Sequence, residues 1–215
     1  MILKAFVDEI KIALPYDFKH IDNRLIIQVI NESRAVWLKN QFNQGRSIDD
    51  VVRQTIYVDL EMVNRIDYPF ITDTHKILRS KVIIPKTINQ HNIDSIISVR
   101  NGDILTENYN YVTKDAAVYS GNSYTNKKAI FVFNYKGKFH VKLNKANSKI
   151  NLLNKLAIEG VFEDPREAYL INNTGDVMFM DYPLPITVFT YNKENIINSL
   201  TQAVKSEITE KQTDD

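Results

Sequence analysis

The sequence predicts an α+β fold with an N-terminal helical hairpin or bundle, a central antiparallel β-sheet or small barrel, and a C-terminal helix. Three observations on the 215-residue chain support it. Apolar residues recur at helical spacing in the first quarter and again near the end. Between these regions they alternate with polar residues at period two. The alternating runs are short and divided by polar turns, which suits an antiparallel sheet rather than a βαβ array.

In "MILKAFVDEIKIAL", Leu3, Phe6, Val7, Ile10 and Leu14 share one helical face, and Pro15 marks the end. The stretch "DNRLIIQVINESRAVWLKNQFNQG" predicts a longer helix. Ile26, Ile30, Trp37 and Phe42 fall near one face, with Leu25, Val29 and Val36 beside them and Gly45 as the stop. Ser47 with Asp50 three residues later forms a capping-box pattern that opens a short helix. "TIYVDLEMV" then alternates as a strand, and "KILRS", "SIISVR", "DILTENYNYV" and "LNKLAIEGVFE" read as further strands. "AIFVFNY" and "KFHVKL" flank Lys136-Gly137, where glycine supplies the positive φ of a tight hairpin turn. Pro85 makes "SKVIIPKTI" an edge or a connector. Pro165, after Glu163-Asp164, suits the first position of a short helix.

Pro183 and Pro185 set an extended approach to the last helix. It carries Ile196, Leu200, Val204 and Ile208 at successive steps of four, ahead of a frayed tail, "EKQTDD". The chain thus divides into a helical segment 1–54, a β-rich segment 55–182 and a helix with tail 183–215, integrated into one domain.

A composition of 44% hydrophobic and 25% charged residues is that of a soluble globular chain. The net charge of +1 disfavours a dedicated duplex-binding domain, whose affinity comes from phosphate neutralisation. The absence of cysteine removes disulfides, thiol nucleophiles and Cys-based zinc sites. Asp8, Glu9 and Lys11 interrupt the N-terminal apolar stretch and no run is long enough to cross a bilayer, so neither a signal peptide nor a membrane partner is expected. "GNSYTNKKA" has one glycine and precedes a strand, whereas a phosphate loop needs a second glycine and a helix. His20, His75, His91 and His140 show no metal-ligand spacing, and His140 alternates with Phe139 and Val141 in a surface or cross-strand position. No serine sits in a nucleophile elbow. The sequence therefore predicts no catalytic, cofactor or metal site, and no enzyme.

The most basic stretch is "YKGKFHVKLNKANSK". Lys136, Lys138, Lys142 and Lys145 could contact a nucleic-acid backbone, in a monomeric binding or regulatory module built on residues 109–149. The favoured reading is an exposed edge strand whose lysines block aggregation. Tyr109, Tyr111, Tyr119 and Tyr124 flank it in polar loops. Near-neutral charge favours protein–protein anchors over base stacking for these rings.

Taken in order, several phrases carry a resemblance. They are "NESRAVWLKNQFNQ", "ILRSKVIIPKTI", "ISVRNGDILTENYNYVTKDAAVYSGNSYTNKK" and "LAIEGVFEDP", followed by a proline-led C-terminal helix. The set resembles the small virion structural proteins of crAss-like podoviruses, in the head–tail connector or ring group. It runs from about residue 20 to 200 and rests on ordered phrases rather than a catalytic motif. The resemblance implies a structural subunit without a cofactor. Such a subunit forms a homo-oligomeric ring, commonly twelvefold, that joins the portal to adjacent ring or tail proteins. Genomic DNA passes through its lumen without sequence-specific contact, and it resides in the virion neck or tail after assembly in the host cytoplasm. Rings need two different complementary faces. The candidates are Trp37 and Phe42 on the helical hairpin, Tyr109, Tyr111, Tyr119 and Tyr124 on the β loops, and Tyr191, Ile196, Leu200 and Val204 on the last helix. That helix either binds the portal or packs on the protein's own sheet.

Overall fold

The computed structural model describes residues 1–63, 76–90, 93–102, 107–119, 129–143 and 153–213. Helix α1 (Leu3–Ala13) buries Leu3, Phe6, Val7 and Ile10, the face its spacing predicts. No side chain caps its start. Instead the Leu3 amide donates to the Met180 carbonyl at 3.0 Å and the Tyr182 amide donates to Met1 at 3.1 Å. Helix α2 (Asn23–Asn43) opens on Asp22, whose carboxylate accepts from the Arg24 amide. It closes in a Schellman turn: the amides of Gly45 and Arg46 donate to Phe42 and Gln41, with Gly45 at φ +64°.

The buried stripe of α2 differs from the predicted one. Ile26, Ile30, Arg34 and Leu38 lie inward at steps of four, Trp37 and Phe42 are half-buried, and Val36 is 59% exposed. Arg34, a charged residue that an apolar stripe does not count, takes the inward place between Ile30 and Leu38. The capping box at Ser47 is also corrected. Asp49 accepts from the Val51 amide and opens a single 3₁₀ turn, Asp50–Val52, because its carboxylate already satisfies the first free donor.

Nine strands follow among the described residues: β1 (Gln54–Met62), β2 (Lys76–Ser80), β3 (Asn89–Gln90), β4 (Ile93–Asp94), β5 (Ile96–Asn101), β6 (Asn110–Tyr111), β7 (Phe131–Tyr135), β8 (Lys138–Leu143) and β9 (Lys155–Gly160). Seven form one sheet in the order β5-β9-β1-β2-β8-β7-β6, while β3 and β4 pair separately. Neighbours are antiparallel except β6 and β7, which run parallel. The sheet's two end strands approach each other, and the Tyr109 amide donates to the Val99 carbonyl at 2.7 Å. The sheet is thus a nearly closed barrel. Ile56, Val58 and Leu60 of β1 fill it with Leu78, Val99, Val132, Phe139, Val141, Leu156 and Ile158.

Lys136 and Gly137, at φ 52° and 75°, make the two-residue turn between β7 and β8 that their sequence predicts. The edge-strand reading of the lysines is overturned, since β8 lies between β2 and β7. Residues 81–88 form a connector touching the rest through a bridge from Thr87 to Phe162, as Pro85 suggests.

The last strand ends at Gly160. Asp164 then caps helix α4 (Pro165–Asn172), with Pro165 in its first turn. The α4 side chain of Asn172 accepts from the Tyr57 amide at 2.8 Å and donates to the Thr55 carbonyl at 2.9 Å, completing β1 where β2 does not reach. The short helix α3 (Lys114–Tyr119) covers Phe133 and Ile77 on the sheet's outer side through Ala117. Helix α5 (Ile186–Thr213) starts behind Pro185 and continues through most of the tail expected to fray. Phe189, Ile196 and Leu200 pack with Leu3, Phe6, Ile10, Ile26, Ile30, Met180, Tyr182 and Leu184. The ring of Phe6 meets those of Tyr182 and Phe189 edge-on. The helix therefore packs on α1 and α2, not on the sheet.

A buried polar cluster joins the two bodies. The Arg34 guanidinium, 1% exposed, donates from Nε to the Pro183 carbonyl and from Nη1 to the Phe162 carbonyl, both at 2.9 Å. Asn31, one turn earlier, accepts from the Tyr182 hydroxyl and donates to Asp164 at 3.3 Å. Burial opposes the Arg34 charge, and the Asp164 carboxylate favours it.

Replacing Arg34 by Leu leaves two inward carbonyls unpaired, so the unfolding free energy should fall by about 2–5 kcal/mol in urea titration. For Gly45→Ala the expected loss is about 1 kcal/mol. That loss is a pure backbone effect, since nothing lies within 4 Å of the added Cβ.

Candidate functional site

Helices α2 and α5 leave an open groove of about 840 Å³ between them on the helical body. Trp37 and Val36 line it from α2, and Val188, Tyr191 and Ile196 from α5. Trp37 is half-buried against the helical core, whereas Tyr191 is 83% exposed. The rim is mostly amide: Asn40, Gln41, Gln44, Asn192 and Asn195, with Glu32 and Arg46 as charged members. These groups give hydrogen bonds in either direction around two large aromatic rings, which is the chemistry of a protein-binding surface.

The structure gathers some predicted contact residues and separates others. Trp37, Tyr191 and Ile196 meet at this groove. Ile196 and Leu200 are 2% and 0% exposed and occupied in the protein's own core, while Val204 is half-buried. Phe42 packs on the other side of α2 with Leu38, Val52, Ile88 and Val161. Tyr109 and Tyr111 are half-buried against the barrel core rather than displayed in polar loops. Tyr111 stacks on Phe139 with centroids 5.5 Å apart, and burial raises the Tyr109 phenol pKa. Tyr119 ends α3; its side chain and all of Tyr124 lie outside the described residues.

The lysines do not form one stripe. Lys136 is exposed and sits 5.4 Å from the Tyr135 ring centroid. Lys138 donates to the Lys81 carbonyl at 3.0 Å. Lys142 is buried and donates to Ala117 in the last turn of α3 at 2.6 Å, and burial lowers its pKa. It is a helix C-terminal partner and not a phosphate contact. Lys145 lies outside the described residues, as do Lys149, His75 and His91.

His140 is the buried histidine of this face. It is 1% exposed, so the surface reading is corrected and the cross-strand one stands. Its ring stacks on Phe133 at 5.2 Å, directly opposite in register, and meets Tyr135 edge-on at 5.9 Å. Nδ1 lies 3.0 Å from the Lys138 carbonyl. Burial, reinforced by the charges of Arg79 and Lys138, lowers its pKa to about 4. Arg79 is itself paired with Glu61 across β1 and β2. The sequence signal was present: His140 lies between two apolar strand residues and opposite Phe133. His20 is exposed. Among the described residues no cluster could hold a metal ion, and no helix is long and apolar enough to cross a membrane.

The chain is thus an α+β protein of a helical body and a nearly closed barrel, with a groove lined by aromatic and amide side chains. More particularly, the chain belongs to the crAss-type ring family described as phage tail ring protein 2, whose model matches residues 5–215. It is a structural component of a phage virion. A comparison with curated proteins gave no match.

For His140 the folded pKa lies below the ordinary value of 6.5, so the unfolded chain binds the extra proton. The stabilisation is complete above about pH 6.5 and is lost as pH falls toward about 4. The stability of the wild type relative to His140→Phe should drop across that window in denaturant titrations. A constant difference from pH 7 to pH 4 would refute the buried neutral imidazole.

Proposed function

We propose that the chain builds a homo-oligomeric ring, twelvefold by resemblance, in the head–tail connector of the virion. The ring joins the portal to the next ring or tail protein and surrounds the passage for genomic DNA. It contacts that DNA without sequence specificity and is assembled in the host cytoplasm. The family match across residues 5–215 carries this reading. Within it, the outer face of α5 and the adjoining α2–α5 groove take the portal contact. Tyr191 supports the assignment because a tyrosine 83% exposed beside Trp37 contributes little to its own fold.

Negative-stain electron microscopy of the purified protein, alone and mixed with the portal from the same genome, tests the reading. Closed rings, or a collar added to portal particles, are expected. A monomer that ignores the portal rejects it. Tyr191→Asp should keep the melting temperature within a few degrees and weaken portal binding about 30-fold, the scale of an aromatic hot spot.

A further inference from the structure

Charge is divided unequally between the two bodies. The described residues among 54–160, which hold the barrel strands, carry 10 Lys and Arg against 6 Asp and Glu. The described residues 1–53 and 161–213, which hold the helices, α4 included, carry 12 against 15. The described barrel-strand segment thus has an excess of four positive charges, and the rest of the described chain an excess of three negative ones. Such a subunit is electrostatically complementary to a second copy of itself placed head to tail, and repelled by one placed like to like.

Each body also shows an apolar centre within a charged rim. On the barrel, the connector after β2 presents Val82, 44% exposed, and Ile83, 68% exposed. The β7–β8 turn packs against this connector: the Ile84 amide donates to the Gly137 carbonyl at 2.8 Å, and Lys138 donates to Lys81. Lys81, Lys136 and Lys138 thereby surround the knob, while the nearby Glu61 is held by Arg79. On the helical body, the 3₁₀ turn Val177–Phe179 presents Phe179, 60% exposed, next to Lys4. Asp176 and Asp181 flank it, both exposed, and the bridge between Ile2 and Asp181 fixes the loop to the start of α1.

We propose that the lysine-rimmed Val82–Ile83 knob of one copy docks on the aspartate-flanked Phe179 face of the next. This rests on the ring reading above and supplies the two different faces that a closed ring requires. The occupant is a second copy rather than nucleic acid because the same chain carries the complementary surface, an exposed Phe179 flanked by Asp176 and Asp181.

The test is a charge exchange followed by analytical ultracentrifugation and electron microscopy. One variant carries Lys81→Glu and Lys136→Glu, leaving Lys138 on its carbonyl. The other carries Asp176→Asn and Asp181→Lys; asparagine keeps the side-chain oxygen that caps Met178. Each variant alone should self-associate at least about tenfold more weakly than the wild type, a loss of about 1.4 kcal/mol. An equimolar mixture, and a chain carrying all four substitutions, should recover assembly. Ile83→Ser, neutral and exposed, should weaken assembly on the same scale and serves if a charge variant fails to fold. Wild-type rings with unimpaired assembly of all three variants would overturn the proposal and leave the ring reading intact. A wild type that stays monomeric with and without the portal would instead reject the ring reading and this proposal with it. Loss of binding to a short duplex DNA in the lysine variant, with self-association unchanged, would assign the knob to phosphate and overturn the proposal.

Discussion

The buried guanidinium of Arg34 is the constraint on which the arrangement of the two bodies depends. It holds the carbonyl of Phe162, just past the last barrel strand, and that of Pro183, just before the last helix. Both ends of the intervening segment are thereby fixed to one point on α2. A charge so placed is costly to bury, and it is tolerated because two carbonyls and a nearby carboxylate meet it. Asn31 and Tyr182 extend the same network toward Asp164, which also caps α4 and pairs with Arg166 at 2.6 Å. Apolar burial holds each body together. The directional bonds at the junction set how one is seated on the other.

That seating explains what is left for partners. α5 is 28 residues long, roughly 42 Å at the helical rise. Its fully buried positions among the described residues end at Leu200. Tyr191 and the amides beside it stay outward because the opposite face of the helix already covers α1 and α2. The bond from Tyr109 to Val99 brings the sheet's two end strands together and nearly closes it, which leaves little open edge for unwanted strand pairing.

Most helices and strands were legible because their cause is local. Leu3, Phe6, Val7, Ile10 and Leu14 lie at helical spacing, Ile56, Val58 and Leu60 alternate, and Gly45 and Gly137 stand where positive φ is needed. The site was less legible. Trp37 and Tyr191 are 154 positions apart and meet only because α5 returns to α2. Lys142 reads as an edge position and His140 as a surface or cross-strand one, and Arg34 falls outside an apolar stripe by residue type, yet all three are buried. Arg34 and Lys142 are buried beside acceptors from remote elements, which periodicity cannot register, and His140 beside Phe133 of the facing hairpin strand. For Arg34 a signal did exist, since it continues the four-residue steps from Ile26 and Ile30 to Leu38.

The sequence by itself determined the α+β class, most of the elements, the hairpin turn at Lys136-Gly137 and the lack of cysteine chemistry. These follow from steric preference and periodicity within a few residues. Tertiary structure alone decided that β8 lies inside the sheet, that the sheet nearly closes, and that α5 packs on helices. It also decided which charged side chains are buried and which surround the exposed Val82–Ile83 knob. Those outcomes depend on strand order and on long-range partners, because a side chain's environment is set by whatever the fold brings opposite it.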